Sequence, residues 1–378
     1  MTAGGTIKVL IWTSIPNHYN AALFDALRAS GIDLAVCYYE PVPSERTSMG
    51  WSRFEDLPPG EFRVDRREQC LERVPDWRER VHVIPGYGSR FSLHLAQVLS
   101  AERCRWVHWS EAARPGSRWW LTYPLKRLYA GLVNRYALGA LAIGESAAAD
   151  FVRWGIARDR IALFPYCVAP PGGQDEPDRA CVDFKGNRKA FVFAGSLCHR
   201  KGIDLLLRAF ARGAGRPGSW VLILAGNDLK SGAYQRLAER LGVRDRVLFR
   251  GVVEPVAIGS VLAAADVFVL PSRFDGWGVG VNEAAACGLP LIVSDGCGAA
   301  RHLVETGFNG VVVEAGSVSS LERALDLYVQ EPEAIEKHGQ ASKVVFSQWS
   351  CPAVARRFRA ILETWIVTTS RACAGRAS

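Results

Sequence analysis

What most limits the folds open to this chain is an alternation. Apolar runs of strand length are each followed by a stretch with helical spacing, and the series occurs twice. The first series opens at Ile7 to Trp12, passes into a helical pattern with Leu23, Phe24 and Leu27 on one face, stops at Gly31, and returns to a strand at Leu34 to Tyr39. Further strands are expected at Val81 to Ile84, Trp106 to Trp109, Ala140 to Ile143 and Ile161 to Phe164. Strand, helix, strand units in series imply a parallel sheet covered by helices. The pattern breaks at Ala169 to Asp178, APPGGQDEPD, whose prolines, glycines and acids continue neither element. It restarts at Ala190 to Ala194 and repeats through Val221 to Ala225, Val247 to Phe249, Val267 to Leu270, Leu291 to Val293 and Val311 to Val313.

A chain of 378 residues exceeds what one core organises. The expectation is therefore α/β: two doubly wound, Rossmann-like parallel-sheet domains, residues 1–170 and 186–345, joined by a linker at 171–185. Residues 346–378 carry an apolar stripe through Phe346, Trp349, Val354, Phe358, Leu362 and Trp365, which predicts closing helices. Residues 41–80 are rich in Pro, Arg and Glu without a period and predict an insertion or a lid.

Composition excludes several classes. Apolar residues at 49% and charged residues at 22% describe a globular protein. The longest apolar runs fall far short of the about 20 residues that a spanning helix needs. The opening MTAGGTIKVLIW has no signal-peptide pattern, so a cytoplasmic location is expected. Ten scattered cysteines without a Cys-x-x-Cys pair predict reduced thiols, and no His, Cys and acid cluster has metal-ligand spacing. The net charge of +8 suits an anionic partner, be it a nucleotide diphosphate, a lipid surface or nucleic acid.

In such sheets ligands sit at the carboxyl ends of strands, so the loops there are where chemistry is sought. After Ala194 comes Gly195-Ser196-Leu197-Cys198-His199-Arg200-Lys201-Gly202, directly before a helix. Arg200 and Lys201 add two charges to the positive end of that helix, a field suited to a diphosphate. After Leu270 comes Pro271 to Glu283, where Gly276, Gly278 and Gly280 allow close approach of backbone amides and another helix begins. Asp275 and Glu283 supply carboxylates that match vicinal hydroxyls. Singly, each feature also reads as a turn or a helix-dipole complement; together in consecutive loops they predict a binding site.

The stretch from about Ala190 to Gly316 resembles the donor-binding half of glycosyltransferase family 4, the retaining enzymes of the GT-B fold. That family carries a Glu, seven residues and a second Glu, where this chain reads Asp275, seven residues and Glu283. The Arg200 to Gly202 triplet and the segment Ala286 to Ser294 also resemble the family. The resemblance implies that the two domains face a central cleft and that the tail returns to the N-terminal domain. It implies that Arg200 and Lys201 hold the diphosphate, that Asp275 and the amides of Gly278, Val279, Gly280 and Val281 hold the donor sugar, and that Glu283 holds the ribose. Ser196 stands where many members carry a second phosphate-binding arginine, and position places Val252 and Val253 by the base. Asp275 is one methylene shorter than the family's Glu.

The N-terminal half is expected to bind the acceptor. Asn17 and His18 follow the first strand; His108 is either an acceptor contact or a packed core residue; Glu111 is the candidate for orienting or deprotonating an acceptor hydroxyl. From Ala112 to Gly144 there is no acid, while Arg114, Arg118, Lys126, Arg127 and Arg135 lie among aromatics. That pattern fits either peripheral contact with an anionic membrane or an ordinary solvated helix.

The resemblance implies transfer of a hexose from a UDP- or GDP-sugar to a glycan or lipid-linked saccharide, in bacterial-type cell-surface polysaccharide or glycoconjugate synthesis. Arg200 and Lys201 are expected to neutralise the leaving diphosphate with no required metal or cofactor. An epimerase of the same fold would need acid and base groups flanking the sugar. A non-catalytic basic protein on membrane or nucleic acid would leave the Asp275 to Glu283 constellation without a purpose, and no nucleic-acid partner is expected.

Overall fold

A computed structural model describes residues 6–43, 57–64, 69–86, 90–113, 116, 119–170, 176–214 and 218–374. The described chain forms two compact units. The first runs to Cys167 and resumes at Cys351; the second spans Val168 to Ser350.

The first unit holds β1 (Ile7–Thr13), β2 (Ile32–Tyr38), β3 (Glu61–Arg63), β4 (Val81–Pro85), β5 (Trp106–Ser110), β6 (Gly139–Ala142) and β7 (Ile161–Leu163). They make one sheet in the order β3-β2-β1-β4-β5-β6-β7, parallel throughout. Val9, Leu10, Ile11 and Trp12 are all 0% exposed. A strand covered on both faces needs apolar side chains pointing both ways, so β1 reads as a continuous run instead of alternating. Leu23, Phe24 and Leu27 are the buried face of the helix His18–Ala29, as their spacing predicts.

The second unit holds β8 (Lys189–Ala194), β9 (Trp220–Ala225), β10 (Val247–Gly251), β11 (Val267–Leu270), β12 (Leu291–Ser294) and β13 (Gly310–Val313). Its sheet is also parallel, in the order β10-β9-β8-β11-β12-β13. In each sheet the order reverses beside the first strand, between β1 and β4 and between β8 and β11. Diverging helices leave a crevice at such a reversal, where ligands bind in doubly wound sheets.

Two expectations are corrected. Among the described residues of 41–80, β3 pairs with β2 at the sheet edge, and Val64, Val74 and Trp77 are buried in the core, so this part is sheet and core instead of a lid. Residues 44–56 and 65–68 lie outside the described residues. Residues 179–185, expected as linker, form the helix Arg179–Lys185. Asp178 caps it by accepting from the Cys181 N–H at 2.9 Å. The same carboxylate takes a forked pair from Arg250, with Nε at 3.0 Å and Nη2 at 2.8 Å. The helix is thereby tied to β10. Residues 171–175 lie outside the described residues.

Arg250 holds the Asp178 carboxyl at about 2, below its ordinary 3.8. A lowered folded-state pKa gives stability that is complete above the unfolded value and disappears as pH falls through the folded one. The pair should therefore contribute about 2 kcal/mol at neutral pH, fading between about pH 4 and pH 2. Denaturant unfolding of wild type and Asp178→Asn across that window should show their difference closing; a constant difference would assign the effect to the helix cap instead.

The final helix, Cys351–Ala374, lies in the first unit. Phe358 stacks on Phe164 with centroids 4.6 Å apart, and Arg359 donates to the Ser30 carbonyl.

Candidate functional site

The loops after β8 and β11 flank the reversal of the second sheet, and they are bolted together. The Arg273 N–H donates to the Arg200 carbonyl at 2.8 Å, and Arg200 Nη1 donates to the Phe274 carbonyl at 3.0 Å. Arg273 Nη1 reaches the His199 carbonyl at 2.7 Å, while its two terminal nitrogens grip both oxygens of Asp204, each at 2.7 Å. Burial works against ionisation of Asp204, yet Arg273 outweighs it and holds the carboxyl below its ordinary value.

His199–Lys201 is a single tight turn that ends at Gly202, where φ is +74°. The helix Ile203–Arg212 starts there, with Ile203, Leu206, Leu207 and Phe210 fully buried beneath the sheet. A Cβ on Gly202 would lie 2.1 Å from the Pro271 carbonyl oxygen, so the two loops touch backbone to backbone at this point. That contact brings Arg200 and Lys201 to Asp275. Lys201 Nζ is paired with Asp275 Oδ2, and Arg200 Nη1 stands 3.5 Å from Asp275 Oδ1. Side-chain exposure is 14% for Lys201 and for Asp275 and 38% for Arg200, so the cluster is sheltered yet reachable.

A third loop, after β12, completes the arrangement. The Asp275 N–H donates to the Gly296 carbonyl at 2.9 Å, and the Gly298 N–H donates to the Asp275 carbonyl at 3.0 Å. Trp277 is 1% exposed, and its indole donates to Asn282 Oδ1 at 2.8 Å. Cys297 donates to the Trp277 carbonyl, and burial pushes its thiol up to about 12, which keeps it an unreactive wall. At Gly278, with φ +93°, a Cβ would lie 2.5 Å from that sulfur. Behind these glycines the helix Gly280–Cys287 begins, the N–H groups of Val281 and Asn282 taken by the Gly278 and Val279 carbonyls, each at 2.9 Å. Glu283 is half-buried in its first turn, with Oε2 3.9 Å from the Cβ position of Gly280.

The expected donor residues thus fall into groups. Arg200, Lys201, Asp275, Gly278, Val279, Gly280 and Glu283 are gathered at the β8/β11 reversal. Ser196 is half-buried in the same loop as Arg200. Val281 is corrected: its side chain is 0% exposed and its N–H is taken by the Gly278 carbonyl at 2.9 Å, so it builds the core beneath the site. Val252 and Val253 follow β10, the edge strand of the sheet, two strands from β8, or about 10 Å at ordinary strand spacing. Arg273, Asp204 and the Asp295 to Gly298 loop were missed. The signal was present in the Gly-Cys-Gly after β12, but only the strand order shows that it meets Asp275.

In the first unit, Asn17 and His18 follow β1 at the other reversal. Asn17 is spent as a cap, its Oδ1 accepting from the Asn20 N–H at 2.8 Å, and it is 7% exposed. His18 lies edge-on to Tyr19, whose ring contacts Tyr166 with centroids 5.1 Å apart. Burial, and then the Glu111 carboxylate, push the Tyr166 hydroxyl above its ordinary value. His108 as an acceptor contact is corrected: it is 0% exposed, between Ser110 Oγ at 2.9 Å and Tyr129 Oη at 3.0 Å. Burial lowers its pKa to about 3, so it is a neutral core imidazole.

Against known proteins, residues 174–345 match the family described as glycosyl transferases, group 1. A GDP-mannose-dependent alpha-(1-6)-phosphatidylinositol monomannoside mannosyltransferase of Mycolicibacterium smegmatis is 30% identical over 221 residues, 56% of this chain and 55% of that protein. A D-inositol 3-phosphate glycosyltransferase of the same organism is 32% identical over 189 residues, 48% of this chain and 42% of that one. The chain spans about half the length of the curated relatives it matches. The solved structure of Anabaena HepE in complex with UDP has a TM-score of 0.75 at 17% identity, covering 95% of this chain and 100% of the other. The fold is therefore GT-B, with two parallel-sheet α/β units. Over residues 174–345, within its second unit, the chain is similar to the group 1 glycosyltransferases.

Proposed function

We propose that the protein transfers a hexose, with retention, from a UDP- or GDP-sugar to a glycan or lipid-linked saccharide in cell-surface polysaccharide or glycoconjugate synthesis. The observation that carries this reading is the pairing of Arg200 and Lys201 with Asp275 at the β8/β11 reversal, beside two helix starts. In the absence of an anion, Asp275 is the counter-ion of both cations. A diphosphate competes for the same two cations, and its entry releases Asp275 toward the sugar. As the glycosidic bond to the diphosphate breaks, negative charge grows on the leaving oxygens, and fixed cations with helix amides stabilise it there. Glu283, half-buried in the helix first turn, offers acceptors to ribose hydroxyls. The mannosyltransferase relative favours GDP, whereas HepE was solved with UDP. We place the enzyme in the cytoplasm, at the inner face of the membrane.

The test is binding and slow hydrolysis of a panel of UDP-, GDP- and ADP-sugars by wild type and Glu283→Ala. One nucleotide should bind selectively and Glu283→Ala should weaken it; binding of none would overturn the reading. With protein cations neutralising the diphosphate, turnover should persist after exhaustive treatment with a chelator, and loss restored by a divalent ion would refute that part.

A further inference from the structure

The carboxyl ends of the first sheet carry a cluster that the donor chemistry leaves unused. Glu111 follows β5 directly, and Tyr166 stands just beyond β7. Trp109 fixes the segment after β7: its indole donates to the Phe164 carbonyl at 3.0 Å, and its ring meets Phe164 and Tyr166 with centroids 5.3 and 5.8 Å apart. Tyr166 in turn meets Tyr19 edge to face, at 5.1 Å and 62°, and Tyr19 meets His18 at 5.2 Å and 81°. The segments that follow β1, β5 and β7 are thereby joined at one place. Trp109 and Phe164 are buried in the core, whereas His18, Tyr19, Glu111 and Tyr166 are each half-buried.

Aromatic rings grouped around a carboxylate suit a sugar. The ring faces offer apolar surface to the C–H side of a pyranose, and the carboxylate accepts from its hydroxyls. The Tyr166 hydroxyl donates to the Glu111 carboxylate. Burial, and then the charge of Glu111, raise its pKa, so the phenol stays protonated and remains a donor. A carboxylate has about four acceptor positions, so one such bond orients Glu111 and leaves capacity for a substrate hydroxyl. We propose that Tyr166 is a positioning residue for glycosyl transfer: its hydroxyl fixes the Glu111 carboxylate against a hydroxyl of the acceptor, while Tyr19 gives the face on which a pyranose ring of that acceptor lies. A hydroxyl held in this way is oriented before the reaction, which removes part of the entropic barrier. The proposal rests on the transferase reading above and deepens it, since it names the residues of the first unit that hold the acceptor and the chemistry they select.

Octyl α-D-mannopyranoside, octyl β-D-glucopyranoside and octyl β-D-galactopyranoside serve as acceptor probes, with the nucleotide-sugar that wild type hydrolyses as donor. Transfer to at least one of them is expected. Tyr166→Phe, which keeps the ring, should lower kcat for transfer about tenfold with little change in the acceptor KM. Its melting midpoint and nucleoside diphosphate affinity should match wild type, which reports that the fold is intact. Tyr19→Ala should instead raise the acceptor KM about tenfold, and Tyr19→Phe should restore it. The decisive comparison is a double-mutant cycle with Glu111→Gln. Because Tyr166 acts through Glu111, adding Tyr166→Phe to Glu111→Gln should cost nothing further. Losses that multiply would overturn the proposal and leave Tyr166 a packing residue. So would a wild type that hydrolyses its donor yet transfers to none of the pyranosides, and the donor chemistry would then still stand. Binding of no nucleotide-sugar at all would overturn the transferase reading itself, and this proposal with it.

Discussion

Replacing Lys201 by alanine is expected to lower kcat/KM for the preferred nucleotide-sugar by roughly a hundredfold, the usual effect of removing one fixed charge-stabilising donor from a leaving group. Lys201 is sheltered, with 14% of its side chain exposed, so its attraction for an anion is poorly screened by water. The substitution also leaves Asp275 to Arg200 alone. Asp275→Asn separates the two roles of the cluster. It frees both cations from their internal partner, so the nucleoside diphosphate without sugar should bind more tightly, while turnover falls if the carboxylate is needed at the sugar. Steady-state kinetics with calorimetric titration of the diphosphate reads both. A Lys201→Ala enzyme with unchanged diphosphate affinity would reduce the cluster to an internal salt bridge that merely ties two loops.

A large loss of stability is expected at Gly202. Alanine there must hold φ near +74°, which costs about 1 kcal/mol in a side-chain-bearing residue. Its Cβ would also stand 2.1 Å from the Pro271 carbonyl oxygen, a contact that only backbone movement relieves. The sum should reach about 3 kcal/mol or more. Because Pro271 opens the loop that carries Asp275, nucleoside diphosphate binding should weaken as well. Gly307→Ala is the matched control: φ is +83°, but nothing lies within 4 Å of the added carbon, so only the conformational cost of about 1 kcal/mol remains. Denaturant midpoints of the two variants decide it, and equal losses would show that the contact with Pro271 relaxes freely.

Much of this molecule is legible along the chain. The strands β1, β8 and β11 stand out because sheets covered on both faces demand unbroken apolar runs. The loops carrying Arg200, Lys201, Asp275 and Glu283 stand out because charge and glycine sit directly behind those runs. The short edge strand β3 did not, since three residues reading Glu-Phe-Arg carry no period and pair only because β2 offers them an edge. Val281 misled, and His108 stayed open between acceptor contact and core, for a related reason. Each neighbours functional residues in sequence, yet burial is a property of what packs on top, and that arrives from Tyr129 for the one and from the sheet for the other.

The sequence by itself determined the alternation, the break near residue 170 and the chemistry available in each loop, because these depend on spacing and residue type over a few neighbours. Only the tertiary structure decided which loops meet. The reversal of strand order puts β8 beside β11, separated by more than 70 residues, and so joins Lys201 to Asp275 and Arg273 to Asp204. Parallel strands are connected by crossovers of any length, so adjacency in the sheet leaves no periodic trace in the chain, and the site exists only where that adjacency is made.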